Sequence, residues 1–497
     1  MEDFCSYVGQ AIDLFRYDPR SPMLFSSGLF LFVFLGFSLI YGLLKRRLTL
    51  RIVYVTLFSL YFYYKTSGLF FLLLVGLSLS DFAIGRLMHR SRRSGARKSL
   101  LVLSLLINLG LLCYFKYADL IVSAVAGLID RTLTLPDIFL PVGISFFTFQ
   151  SMSYVIDLYR RQIEPVRRWI DYLFYLSFFP QLVAGPIVRA RDFLPQIYRN
   201  PVFVSRDMFG RGVFLILSGL FKKAIISDYI SLNFVDRVFD NPMLYSGFEN
   251  LMGVYGYALQ IYCDFSGYSD MAIGLALLLG FRFPVNFDSP YQSATITEFW
   301  RRWHISLGSF FRDYVYIPLG GKKKHQLLNM AVVWALTGLW HGASWNFVLW
   351  GLYFFVILAA EKTIGEKRLR RIPTILRRVG TMLLVILGWN IFYFTDLTQL
   401  LQHFGLLFGL LGAGFSNAQT GIQLVNNLPL LLVCAIGATS VPQNLGNLFG
   451  GVCVQGGKRS GQIIYACVTF VFDAALLALS TIALVGSTYN AFLYFRF

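Results

Sequence analysis

The stretch LLNMAVVWALTGLWHGASWNFVLWGLYFFVIL spans residues 327–358 and contains no Asp, Glu, Lys or Arg. A helix that crosses a membrane needs about 20 consecutive apolar residues, because the hydrocarbon core is about 30 Å thick. The length and composition of this stretch therefore predict a membrane-spanning helix. His341 falls near its middle, roughly 20 Å from either end if the stretch is one helix.

The whole chain has the composition of a membrane protein. Of its 497 residues, 56% are hydrophobic and 14% are charged, and the mean hydropathy is +0.60. Soluble domains carry about 25% charged residues, so the composition argues against a cytosolic enzyme. The aromatic content of 17% excludes a disordered chain, and the six scattered cysteines without a CxxC pair exclude a disulfide scaffold.

The apolar runs predict an all-α, polytopic integral membrane protein with ten to twelve crossings. The stretch 169–188 is also apolar, but Pro180, Gly185 and Pro186 interrupt it, so we expect a broken or re-entrant segment there. No repeat or linker divides the chain, which predicts a single domain. The candidate spans are 23–44, 52–64 with 68–85, 100–122, 138–158, 212–233, 251–280, 327–358, 376–395, 428–441 and 463–486.

Basic residues exceed acidic ones by 44 to 26, which gives a formal net charge of +18. A nucleic-acid-binding protein would keep its apolar residues inside a polar shell, and this chain lacks that shell, so we expect no nucleic-acid partner. The positive-inside rule instead places the basic loops on the cytoplasmic face. These loops are at 45–51, 86–98, 160–168, 189–211, 301–324 and 362–378.

A second histidine, His304, lies in a segment that has the pattern of an amphipathic helix in the membrane interface. The residues Thr295 and Glu298 have the spacing of a capping box at its start. His304 falls on the apolar side of the predicted helix, so an ordinary buried histidine is the alternative interpretation. The apolar stripe consists of Trp300, Trp303, Leu307, Phe310, Phe311 and Tyr314.

Polar groups inside apolar runs are the other candidates for function, since ionisable groups do not face lipid without a partner. Asp264 and Asp270 lie in one predicted span, where they could pair with nearby arginines at 301, 302 and 312, line a substrate path or relay protons. For His341 the alternative is a structural histidine that bonds between helices. The remaining histidines, His89, His325 and His403, are interpreted as solvated loop residues.

The motifs that are absent narrow the chemistry. The sequence has no GxSxG elbow, no Walker A loop and no HExxH motif, and no Cys and His cluster has zinc spacing. We therefore expect no metal and no tightly bound cofactor. A neutral imidazole near pH 7 can remove a proton from a hydroxyl while that hydroxyl attacks an acyl carbon, so the histidines favour general acid–base catalysis.

Five sequence blocks resemble the signature blocks of the membrane-bound O-acyltransferases. The resemblance is to the bacterial branch that contains the alginate O-acetyltransferase and the teichoic-acid D-alanylation protein, and the ending YFRF at 494–497 is similar to the alginate-type members. The blocks occur in the expected order. They are FPQLVAGPI at 179–187, DFSGYSD at 264–270, FWRRWHISL at 299–307, RDYVYIPLGG at 312–321 and GLWHGA at 338–343.

The resemblance implies a ring of transmembrane helices around a central pore, with one domain over 1–497 and a motif-bearing core over about 138–358. It also implies that His341 is the catalytic histidine and that His304 is the second histidine of the family pair. The acyl donor would reach the pore from the cytoplasm and the acceptor from the other side. Residues that match the motifs, and that we expect to line or support the pore, are Asp264, Asp270, Trp303, Trp340, Arg312 and Asp313.

Three functions remain open at this point. The leading hypothesis is an O-acetyltransferase of the bacterial inner membrane that uses acetyl-CoA or an acyl carrier protein thioester. It would act toward an exported polysaccharide, with an extracytoplasmic protein as an intermediate acceptor and membrane lipid around it. The alternatives are D-alanyl transfer to teichoic acid and a transporter of an acyl group, lipid or polymer that makes no bond.

Overall fold

The computed structural model describes residues 13–129, 139–412, 414–454, 459–486 and 492–493. The described residues form helices joined by turns and loops, with no strand among them, which confirms the all-α prediction. The ending at 494–497, on which part of the family resemblance rests, lies outside the described residues.

Six described segments are long and apolar enough to cross a membrane, and the shorter apolar helix Gly28–Leu43 adds to them. The chain is therefore a multi-pass membrane protein, as its composition predicts. The number of ten to twelve crossings and the ring around a pore stay predictions. The six segments are Leu48–Arg90, Ser94–Val122, Trp345–Ile364, Thr374–Tyr393, Ala418–Gly437 and Arg459–Val485.

The described helices fall into two compact units, one of residues 1–213 with 272–284 and one of residues 214–271 with 285–497. The prediction of one domain over 1–497 stays a prediction. In the first unit the main helices are Gly28–Leu43, Leu48–Ser67, Phe71–Arg90, Ser94–Ile129, Ile144–Tyr159, Trp169–Ser177 and Ala190–Ile197. The second unit contains Ile296–Arg302, Ile305–Phe311, Gln326–His341, Trp345–Ile364, Thr374–Tyr393, Leu397–Leu407, Ala418–Gly437, Val441–Val454 and Arg459–Gly486, while Arg206–Phe221 and Gly247–Leu278 continue through the boundaries at 213 and 271.

The first unit confirms that the apolar stretch 169–188 is broken. A helix covers Trp169–Ser177, a single turn covers Phe179–Leu182, and irregular backbone follows. Gly185 allows this backbone to fold back, since a Cβ there would lie 2.5 Å from the Pro180 carbonyl oxygen. The whole segment 171–190 is buried in the protein, which is the condition under which a non-helical backbone is stable at membrane depth.

The helix that contains the apolar run 52–64 is longer than the run itself. The helix covers Leu48–Ser67 and is separated from the helix Phe71–Arg90 by a turn in which Gly68 has a φ of +62°. Lys65, near the end of the first helix, is buried and donates to the backbone carbonyls of Leu14 and Arg16. Backbone acceptors thus satisfy a charge that the apolar pattern alone would exclude.

In the second unit, the stretch 327–358 is not one helix. The helix Gln326–His341 ends at His341, residues 342–344 form a turn, and a second helix covers Trp345–Ile364. We call these two helices the histidine hairpin. They are antiparallel, because a Cβ on Gly338 would lie 2.4 Å from the Phe347 carbonyl oxygen and one on Gly351 would lie 2.5 Å from that of Trp334. The prediction that His341 is central in a single span was therefore wrong, since the glycines let the chain reverse just after it.

The predicted amphipathic helix around His304 is also broken. One helix covers Ile296–Arg302, His304 has a φ of +46°, and a second helix covers Ile305–Phe311. Thr295 caps the first helix as predicted and accepts from the Glu298 N–H. The Glu298 carboxylate bonds the N–H of Ala294 and not that of Thr295, so only half of the expected capping box forms.

Candidate active site

His341 is the last residue of the Gln326–His341 helix, and its ring is surrounded by aromatic side chains. The ring centroids of Trp340, Trp350 and Phe392 lie 4.8, 4.9 and 5.1 Å from that of the imidazole. The ring of Phe347, from the second helix of the hairpin, is 6.5 Å away. His341 is only partly buried, so the aromatic rings form apolar walls without fully enclosing the imidazole.

His304 occupies the bend between the helices Ile296–Arg302 and Ile305–Phe311 and is 3% exposed. Its Nδ1 lies 3.1 Å from the Oδ1 of Asn286. The ring of Phe265 packs edge-on against the imidazole at 4.8 Å, and that of Trp340 lies 5.8 Å away. His304 is thus held by the Asn286 amide and enclosed by aromatic rings.

Trp340 connects the two histidines, since its ring contacts those of both His341 and His304. The structure therefore brings together three residues that the sequence identified separately. Trp303 has a different position. It lies in the core against Trp389 at 4.9 Å and Phe299 at 5.6 Å, where it supports the bend that carries His304.

The histidine hairpin and the helix before His304 are tied together by Glu361. Its carboxylate accepts from the backbone N–H groups of Ile296 and Thr297 at 2.7 and 2.8 Å and from the Thr297 hydroxyl at 2.6 Å. These N–H groups have no partner within their own helix because they belong to its first turn. Glu361 therefore fixes the start of the segment that leads to His304.

Burial lowers the pKa of His304 to about 3, since removal from water disfavours the imidazolium form. The residue lies outside the candidate spans. At neutral pH its ring is uncharged, and a neutral imidazole can accept a proton or a hydrogen bond from a reacting hydroxyl.

The two aspartates in the DFSGYSD block pair with lysines. The Nζ of Lys223 lies 2.7 Å from Asp264 and 2.8 Å from Asp228, and the Nζ of Lys222 lies 2.6 Å from Asp270. We call Lys223, Asp228 and Asp264 the ion cluster. The expectation of arginine partners was wrong. Gly219 and Gly267 let the segment that carries the two lysines pack closely against the helix that carries the aspartates, since a Cβ on Gly219 would lie 2.4 Å from the Gly267 carbonyl oxygen.

The ion cluster also holds the described residues near the chain end. The backbone N–H of Leu493 donates to the second Asp264 carboxylate oxygen at 2.9 Å. The Lys223 ammonium lies 4.6 Å from the ring centroid of Phe492, a cation–π contact. A role for Asp264 and Asp270 in a substrate path stays a prediction.

Arg312 and Asp313 pair with each other, with 2.7 Å between Nε and Oδ1. They lie in one turn of π-helix, Arg312–Tyr316, and the arginine side chain is mostly exposed. This arrangement leaves their expected role at the pore a prediction.

Of the histidines interpreted as solvated loop residues, His89 and His325 are exposed, although His89 lies in the last turn of the helix Phe71–Arg90 and not in a loop. His403 is 1% exposed. It lies in the helix Leu397–Leu407 and bonds the Oδ1 of Asn250 at 3.2 Å. The polar residues before His403 suggested a turn, but they begin an amphipathic helix whose buried face includes Leu400 and Leu407. The helical spacing of these apolar residues was the feature of the sequence that could have predicted the burial of His403.

Sequence reasoning missed three residues of this site: Asn286, Lys222 and Lys223. The two lysines had a signal, because an adjacent pair of charges inside the apolar run 212–233 requires partners. Asn286 had none, since an asparagine in a loop is ordinary. Among the residues that the structure describes, no group of three or more His, Cys, Asp and Glu side chains could hold a metal ion.

Comparison with known proteins identifies relatives over most of the chain. The family model described as MBOAT, membrane-bound O-acyltransferase family, matches residues 168–402. The chain is 38% identical over 381 residues to a protein named probable alginate O-acetylase AlgI from Pseudomonas aeruginosa, with 74% of this chain and 72% of the relative covered. It is 29% identical to the peptidoglycan O-acetyltransferase of Helicobacter pylori over 96% of this chain and 98% of the relative. It is 31% identical to the teichoic acid D-alanyltransferase of Bacillus subtilis, over 50% of this chain and 68% of the relative.

Proposed function

The chain belongs to the membrane-bound O-acyltransferase family, and on that premise we propose that it is a membrane O-acetyltransferase acting toward a cell-surface polysaccharide. The relatives that match most of the chain are named for O-acetyl transfer to alginate or peptidoglycan. The observation that carries the assignment of residues is that the rings of His341 and His304 both contact the ring of Trp340. We place the protein in the bacterial inner membrane, where a cytoplasmic donor and an exported acceptor can both reach it.

The reaction follows from the chemistry of a thioester and a hydroxyl. The hydroxyl oxygen attacks the carbonyl carbon of the acetyl thioester, and a ring nitrogen of His341 takes the hydroxyl proton. The carbon–sulfur bond breaks, an ester forms, and the released thiolate receives a proton. The aromatic walls around His341 exclude bulk water, which would otherwise hydrolyse the thioester. We propose coenzyme A or an acyl carrier protein as the donor and an extracytoplasmic protein as the first acceptor.

Replacement of His341 tests this proposal directly. Purified protein in detergent is incubated with a labelled acetyl thioester and an oligosaccharide or protein acceptor, and ester formation is measured. We expect His341→Ala to lower transfer by about 10²–10⁴-fold, the usual contribution of a general base. His89→Ala is the matched control. His89 is exposed in the last turn of the helix Phe71–Arg90, so the variant should transfer at the wild-type rate.

Transfer at the wild-type rate by His341→Ala would remove this residue from the chemistry. Transfer by the wild-type protein in detergent also excludes pure transport, since no sealed compartment is present.

The D-alanyl transferase among the relatives supports a second candidate, D-alanyl transfer to teichoic acid. That similarity covers half of this chain, whereas the O-acetyltransferases match between 74% and 96% of it. Mass analysis of the cell-surface polymer with and without the gene separates the two, because loss of acetyl and loss of D-alanyl esters differ in mass.

A further inference from the structure

The side-chain amide of Asn286 lies within hydrogen-bonding distance of the His304 ring, with 3.1 Å between Oδ1 and Nδ1. The two residues are 18 positions apart and are also joined through the backbone. The N–H of Ile305 donates to the Asn286 carbonyl at 2.9 Å, and the N–H of Asp288 donates to the Arg302 carbonyl at 3.0 Å. The loop that contains Asn286 therefore braces the bend at His304 from both sides.

The bend needs such bracing. His304 has a φ of +46°, a left-handed conformation that costs a residue with a Cβ free energy and persists only when its surroundings enforce it. Strain of this kind is concentrated at sites where the direction of a side chain matters for function. Here the bonds to Asn286 enforce it.

The contacts of Asn286 fix the orientation of its amide. The backbone N–H of Ser306, which can only donate, lies 3.2 Å from Oδ1, and the Ser306 hydroxyl lies 2.9 Å from the same atom. On the other side, Nδ2 donates to the hydroxyl of Ser269 at 3.1 Å. The atom that faces His304 is therefore the carbonyl oxygen of the amide, which has no proton to donate.

The orientation of the amide determines the tautomer of the histidine. Because Oδ1 can only accept, the Nδ1 of His304 must carry the ring proton. A neutral imidazole has one ring proton, so the lone pair is on Nε2. The bond at one ring nitrogen thus decides which nitrogen can act as a base.

We infer that Asn286 is a positioning residue that fixes His304 in its Nδ1–H tautomer, so that Nε2 accepts a proton or a hydrogen bond during acyl transfer. The inference rests on the proposed function. It adds to the role of His341, which takes the hydroxyl proton, a separate role for His304 as an acceptor through Nε2. Around His304 the rings of Phe265, Phe287 and Trp340 do not titrate. Among the described residues, His341 lies beyond Trp340 and can titrate. Two cations, Arg301 and Arg302, precede the bend.

The first test observes the tautomer without any reaction. The full-length protein in detergent is produced with isotope-labelled histidine, and NMR identifies which ring nitrogen carries the proton. The His304 signal is assigned by its loss in His304→Gln. We expect Nδ1–H in the wild type, and a proton on Nε2 would overturn the inference. This result does not depend on whether the protein transfers acetyl groups.

The second test compares two variants of Asn286. Asn286→Asp keeps an acceptor for the Nδ1 proton, and the Ser269 hydroxyl can rotate to donate to the new carboxylate. Asn286→Leu has a similar size but no acceptor. We expect Asn286→Leu to lower kcat by about 10–1000-fold with little change in KM, since loss of the correct tautomer costs up to about 10⁴-fold in a serine protease triad.

Asn286→Asp should keep kcat within about tenfold of the wild type and move the acidic limb of the pH profile to higher pH, because a carboxylate favours the imidazolium. An unmoved limb would show that protonation of His304 does not affect transfer, which overturns the inference, as does wild-type kcat in Asn286→Leu. If Asn286→Leu does not fold, the Asp variant and the NMR measurement still decide. A wild-type protein that transfers no acetyl group instead contradicts the proposed function.

Discussion

At the scale of single residues, two adjacent lysines have different environments. Lys223 is 1% exposed and lies between two carboxylates, whereas Lys222 and its partner Asp270 are 24% and 23% exposed. A buried ion pair is held by its partners and not by solvent, so removal of one member leaves an uncompensated charge. Loss of the Lys223 charge should therefore lower the free energy of unfolding by more than loss of the Lys222 charge.

Methionine at each lysine position tests this difference, since it keeps the length of the side chain and removes the charge. We expect Lys223→Met to cost about 3–5 kcal/mol, the range for a broken buried pair. Lys222→Met should cost less, because the Asp270 carboxylate that it leaves behind is partly exposed and not fully buried. The measurement is thermal unfolding in detergent, with an equal loss of Tm in the two variants as the contradicting result.

At the scale of elements, the histidine hairpin depends on glycines where its two helices meet. Gly338 faces the backbone of Phe347, and Gly351 faces that of Trp334. The close approach brings Trp350 and Phe347 against the His341 ring. The packing of one helix on another therefore sets the environment of the candidate catalytic residue.

A single methyl group tests this packing. In Gly338→Ala the new Cβ would lie 2.4 Å from a carbonyl oxygen of the backbone, which cannot move without the helix, so we expect a loss of about 1–3 kcal/mol and lower acyl transfer. Gly380→Ala is the matched control. It lies in the helix Thr374–Tyr393 with nothing within 4 Å of its Cβ, and alanine should stabilise that helix slightly. Equal Tm and activity in the two variants would contradict the prediction.

At the scale of the whole molecule, the histidine hairpin explains how two basic loops that flank one apolar stretch can both face the cytoplasm. The basic loops 301–324 and 362–378 flank the apolar stretch 327–358. If that stretch crossed the membrane once, the two loops would lie on opposite sides, against the positive-inside rule. Because the chain reverses at 342–344, both ends of the hairpin lie on the same side. The charge pattern and the fold agree only when the helix is broken.

Cysteine labelling tests this orientation. In a chain whose six native cysteines are replaced by serine, Lys323→Cys and Thr398→Cys introduce single thiols at exposed positions. We expect a membrane-impermeant maleimide to label Lys323→Cys in inverted membrane vesicles but not in intact cells. Thr398→Cys, which follows the next predicted crossing, should react from the outside. The reverse pattern of labelling would show that the basic loops face outward.

The amino-acid sequence by itself showed that this protein lies in a membrane and that its secondary structure is helical. Apolar runs of about 20 residues are stable in a bilayer only as helices, because every backbone polar group must be bonded within the segment. The same reasoning identified His341, Asp264 and Asp270 as residues that require partners. The Thr295 cap was also predictable, since a cap depends on neighbours within three positions.

The tertiary structure alone decided which partners those residues have. Lys223 and Asp264 are 41 positions apart, and Asn286 bonds a histidine 18 positions away. The breaks at His304 and after His341 likewise depend on contacts with distant backbone. Local periodicity carries no information about such contacts, because a helix continues or bends according to what packs against it. For that reason the sequence indicated the candidate catalytic residues, while the fold determined which side chains surround them and which groups they bond.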